Sequence, residues 1–132
     1  MQTHKALAVL QIMTGVGIIL FWIAFFTVGL APANPPDGYF AFEHSFPLPD
    51  GVLCLCLIAS GVMLLKGARS GRVLGLMGAG GLMFLGLLDF SFNIQNGMYA
   101  MGLSESLPNM LINGWCVGLG AVLALRLGRE TA

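Results

Sequence analysis

Asp89 and Asn93 stand four residues apart, as do Asn109 and Asn113, and each pair falls near the end of an apolar run. At that spacing the two members of a pair share one helical face, so a carboxylate and three amides can meet where two helices end side by side. A carboxylate just inside a bilayer interface is costly unless it is paired, hydrated or facing a cavity, and amide N–H groups can hold it there. Asp89 is the most embedded ionisable residue of the chain and the first functional candidate. Asn96 extends the amide-rich stretch that runs from Asp89 to Tyr99. A second group, Glu43 and His44, lies among the aromatic residues Tyr39, Phe42 and Phe46.

Three chemistries are open to these residues. Asp89, Asn93, Asn96, Asn109 and Asn113, with Glu43, His44, Tyr39, Phe42 and Phe46 above them, could bind a ligand with a polar head and an apolar body. His44 could act as a general base oriented by Glu43 or Asp89. Glu43, His44, Asp50 and Asp89 could offer oxygen and imidazole ligands to a divalent ion, but adjacent Glu-His lacks the helical spacing that presents two ligands to one metal, so no metal is expected. Cys54 and Cys56 are two apart rather than in Cys-x-x-Cys, which argues against thiol–disulfide chemistry.

The elements that must position these groups are membrane spans. The chain of 132 residues is 57% hydrophobic and 9% charged, against roughly 25% charged in an ordinary soluble domain. The expected fold is all-α: one integral membrane four-helix bundle over residues 1–132, with spans at about 6–30, 50–68, 72–93 and 107–127. The first run is too long for a signal-peptide core and is expected to be a retained span. Lys5, the group Lys66, Arg69 and Arg72, and the pair Arg126 and Arg129 occupy alternate gaps, whereas Asp37, Glu43, Asp50, Asp89 and Glu105 lie in or beside the others; only Glu130 departs from this. Short basic connections stay cytoplasmic, so both termini are expected inside, and the setting is expected to be a bacterial inner (plasma) membrane.

Span lengths are uneven. The first, at about 37 Å, exceeds a hydrocarbon core of about 30 Å, while the apolar part of the second, between Asp50 and Lys66, reaches only about 22 Å. Something must shield its outer end. Tyr39, Phe42, Glu43 and Phe46 recur at helical spacing, which predicts a short interfacial helix or lid in the first outer loop, capped by Asp37 and closed by Pro47. Asp50 is expected to cap the second span, and Ser106 the fourth, with Pro108 in its first turn. Gly71-x3-Gly75 and Gly114-x3-Gly118 allow close helix approach, within one chain or in a homo-oligomer.

Composition gives no net charge that would draw the chain to nucleic acid. The leading expectation is a binding or assembly protein whose outer face holds a lipid, an apolar ligand or a partner subunit. It would sit among membrane lipids, alone, as a homo-oligomer or in a larger membrane complex. An oligomeric channel or small-solute carrier, thinly lined by Gln11, Thr14 and Thr27, is the alternative, and an outer-interface enzyme using Glu43, His44 and Asp89 is the third. No cofactor is specified by any motif.

Overall fold

The structure, a computed structural model, describes residues 2–129, with side chains from Lys5 onward; Glu130 lies outside them. Among the described residues all regular structure is helical: α1 (Gln2–Thr27), α2 (Tyr39–Glu43), α3 (Pro47–Leu65), α4 (Gly71–Gln95) and α5 (Leu103–Arg129), with one 3₁₀ turn at Met98–Ala100. Four helical segments are long and apolar enough to cross a membrane.

Cross-helix hydrogen bonds fix the arrangement as up, down, up, down. Trp22 near the end of α1 donates to Asp50 at the start of α3 at 2.8 Å. Ser60 in α3 donates to the carbonyl of Gly71, the first residue of α4, at 2.7 Å. Asn93 near the end of α4 donates to Asn109 in α5 at 2.8 Å, and Arg72 at the other end of α4 donates to the Leu127 carbonyl of α5 at 2.8 Å. One end of the bundle therefore gathers α2 and the acids, and is called the lid end. The other carries Lys5, Lys66, Arg69, Arg72, Arg126 and Arg129, and is called the basic end.

Apolar side chains fill the middle and the basic half: Leu57, Leu82, Leu123 and Leu127 are fully buried. Glycines let the helices approach there. A Cβ on Gly86 would stand 2.9 Å from the Asn113 carbonyl, and one on Gly120 would stand 2.8 Å from that of Ala79. Gly71 and Gly75 likewise meet α3 and α5, so this pair packs within the chain, whereas Gly114 and Gly118 face open space. The tight α3–α4 connection rests on Gly67, whose positive φ of 74° allows two closing bonds: Gly67 N–H to Leu64 and Ala68 N–H to Met63.

Several expected caps are placed differently. Pro47 opens α3 rather than closing the lid helix, so α3 begins a turn before Asp50 and has 19 residues, about 28 Å. The length deficit of this span is met by the helix itself. Proline suits a first helical position because its missing N–H would have no helical partner. Asp50 thus sits inside the first turn and caps nothing. Gly38, at φ 78°, takes the position before α2 that Asp37 was expected to hold. Helix α5 begins at Leu103, which places Ser106 within the helix, buried, and Pro108 beyond the first turn.

Candidate functional site at the lid end

The amides of α4 and α5 form one connected chain. Asn109 Oδ1 accepts from Asn93 Nδ2 at 2.8 Å and from Asn113 Nδ2 at 2.7 Å, and Asn93 also donates to the Tyr99 hydroxyl at 3.3 Å. Asp89 lies close to Asn113, at the edge of this network. Helical spacing of four brings each pair onto one face, and the antiparallel approach of α4 and α5 makes those faces meet. Asn93 and Asn113 are almost fully buried, at 1% and 2% exposed. An amide network this enclosed stays stable only because its donors find acceptors in one another.

At the same end of the bundle lies the aromatic lid. The Phe42 ring of α2 stacks on Phe92 of α4, with centroids 3.9 Å apart and planes 5° from parallel, and Phe46 meets Phe42 edge-on at 4.8 Å. Tyr39 is buried with Phe25 and Met98 in a small core of its own, flanked by Phe21, Trp22 and Phe92. Five helical residues suffice here because α2 is held by these rings rather than by its own hydrogen bonds.

Three carboxylates share this end. Glu43, Asp50 and Asp89 are near enough to feel one another's charge, and among the described residues none of them has a cationic ion-pair partner. Asp50 is 5% exposed, and its Oδ2 accepts the Trp22 indole N–H. Two apolar grooves flank it on the bundle wall. The larger, about 400 Å³, runs between α1 and α3 along Ile19, Trp22, Ile23 and Phe26; the smaller, about 230 Å³, runs between α3 and α4 along Phe46, Leu53 and Leu88. Asp50 lines both.

Not every candidate joins the cluster. Asn96 folds back, donating to the Phe92 carbonyl one turn earlier at 2.9 Å. His44 is exposed and packs among Phe25, Phe26 and Phe40. Among the described residues it makes no hydrogen bond to Glu43 or Asp89. No group of three His, Cys, Asp or Glu residues among the described residues is placed to hold a metal ion.

Trp22 and Tyr99 are the residues that sequence reasoning missed. Nothing periodic marks Trp22, which is 28 positions from Asp50. A usable signal existed nonetheless: a tryptophan in an apolar run carries an N–H that needs an acceptor when buried, and Asp50 was the nearest carboxylate at that end of the neighbouring helix. Taken together, the lid end offers an apolar wall, a shielded carboxylate and an amide network. Comparison of the chain with protein-family models, with characterised proteins and with solved structures finds no match.

Proposed function

We propose that this chain is a bilayer-spanning binding protein, both termini cytoplasmic, whose outer end holds an apolar or lipid ligand. The observation that carries this reading is the placement of Asp50: a nearly buried carboxylate, fixed by Trp22, on the wall of apolar grooves beneath an aromatic lid. A carboxylate kept in so apolar a setting costs several kcal/mol unless it has partners, and such a residue in a membrane protein is a functional candidate by default. The reading is further supported by the amide chain of Asn93, Asn109 and Asn113 beside Asp89, which supplies polar contacts at the same end.

The test is extraction of the full chain in its native lipid with a membrane-solubilising polymer, followed by mass spectrometry of the retained molecules. A lipid or apolar compound retained at near-stoichiometric amount, and lost on Phe42→Ala, is the expected result. The reading fails if nothing beyond bulk lipid is retained while liposomes containing the protein show solute flux that Asp89→Asn abolishes. That outcome would instead establish the carrier reading, for which Gln11 is the one favourable observation: it is fully buried, and neither amide atom has a hydrogen-bond partner among the described residues.

A further inference from the structure

Resting on the binding reading above, we propose that the α1–α3 groove takes an amphiphile whose head is a protonated amine, with the ammonium on Asp50 and the alkyl body along Ile19, Ile23 and Phe26. The groove, about 400 Å³, falls within the range of about 300–1,000 Å³ typical of small-molecule sites. Its wall is apolar apart from Asp50 and Thr27, whose hydroxyl proton goes to the Ile23 carbonyl at 2.6 Å, which leaves its oxygen able only to accept. Asp50 is thus the acidic group on the groove wall that can read a ligand's head. One indole N–H does not saturate it, because an ionised carboxylate has about four acceptor sites.

Charge complementarity selects the kind of head. Glu43 and Asp89 are acidic groups close enough to Asp50 to couple with it electrostatically, whereas every lysine and arginine of the described chain lies toward the basic end. An anionic head would be repelled there and a neutral alcohol would gain only an ordinary hydrogen bond. An ammonium brings both the missing charge and N–H donors, and charge-assisted hydrogen bonds are roughly twice as strong as neutral ones. The smaller α3–α4 groove touches the same carboxylate, but at about 230 Å³ it is the less roomy of the two.

The chain supplies its own reporter. It has two tryptophans, so Trp115→Phe leaves Trp22, on the groove wall, as the sole indole. Full-length protein carrying that change is placed in phosphatidylcholine vesicles and titrated with a bromine-labelled fatty amine, or with the fatty alcohol of equal chain length. Saturable quenching of Trp22 by the amine at about tenfold lower mole fraction than by the alcohol is expected. Asp50→Asn should bring the amine to the level of the alcohol.

Because Asp50→Asn can also disturb folding, Gly51→Leu provides an independent arm. Gly51 lines the groove, and a Cβ there meets nothing within 4 Å, so leucine fills the groove without touching Asp50's hydrogen bond. It should abolish saturable quenching in a protein of unchanged helicity. Equal quenching by amine and alcohol, both blocked by Gly51→Leu, would overturn the amine assignment and leave the binding reading standing. Loss of amine binding in Asp50→Asn but not in Gly51→Leu would move the ligand to the α3–α4 groove and overturn the site. Quenching by neither probe beyond bulk partition would overturn the inference, and the retained-lipid measurement decides the parent reading separately.

Discussion

Removing the Trp22 N–H while keeping a ring at that position separates packing from hydrogen bonding at the least expected contact of the lid end. Trp22→Phe deprives a buried carboxylate of its donor, a loss of about 1.5–3 kcal/mol for a bond to a charged group, whereas Trp115→Phe removes a neutral bond to Thr14 and should cost about 0.5–1.5 kcal/mol. Unfolding in mixed detergent micelles compares the two; equal losses would mean that the Asp50 bond contributes nothing special. Gln11 predicts the opposite sign. Both of its amide atoms are buried without partners among the described residues, and leaving such a group unsatisfied costs about 1–3 kcal/mol. Gln11→Met keeps the length of the side chain without the amide, so it should stabilise the protein by a similar amount. A destabilised Gln11→Met would show that the amide is used. At this scale the sequence was partly readable. Helical spacing of four placed Asp89, Asn93, Asn109 and Asn113 on facing helix ends, but it could not reveal Trp22 and Asp50 as partners, because contacts between α1 and α3 depend on the rotation of each helix. Asn96, outside that expected cluster, satisfies itself on the backbone one turn back, as an amide near a helix end can.

Glycine sorts the helices into packed and open faces, and the distinction is quantitative. A Cβ at Gly86 would stand 2.6 Å from Val117 Cγ2 and 2.9 Å from a backbone carbonyl, and one at Gly120 would stand 2.6 Å from Met83 Cγ and 2.8 Å from another carbonyl. Side chains can swing aside; backbone cannot. Gly86→Ala and Gly120→Ala should therefore each cost about 1–3 kcal/mol through overpacking. Gly114→Ala and Gly118→Ala meet nothing and should instead stabilise α5 by up to about 1 kcal/mol from helix propensity alone. Parallel unfolding of the four variants checks the contrast, which collapses if Gly114→Ala is as damaging as Gly86→Ala. From sequence the two small-residue pairs looked equivalent; only their rotation about the helix axes told them apart. The long helices themselves were legible because apolar runs of this length leave little choice. Element starts were less so. Ser, Asp and Thr residues near a helix start resemble caps wherever they occur, yet Pro47 and the contacts of Phe42 and Phe46 moved the start of α3 ahead of Asp50.

The bundle as a whole is polarised end to end, and that polarity carries the orientation proposed for it. Lys66 and Arg69 lie in the short α3–α4 connection, Arg72 in the first turn of α4, and Arg126 and Arg129 in the last turn of α5; short connections of this kind are retained on the cytoplasmic side. Helix direction alternates, so a single retained connection determines every other. Ser45 and Ser104 lie at the lid end and Ser70 at the basic end, and all three are exposed. Replacing Cys54, Cys56 and Cys116 by alanine and then introducing one cysteine at a time gives a direct readout with a membrane-impermeant maleimide. Ser45→Cys and Ser104→Cys should label in intact cells, and Ser70→Cys only after permeabilisation. The reverse pattern would place Asp50, Glu43 and Asp89 on the cytoplasmic side, and any amphiphile reaching the α1–α3 groove would then have to come from the inner leaflet. Labelling of all three positions in intact cells would be incompatible with four crossings, since Ser45 and Ser70 are separated by the whole length of α3. On the proposed reading, the orientation also decides which leaflet would supply the ligand, because a groove open along the bundle wall would admit molecules laterally, at the depth where its carboxylate sits.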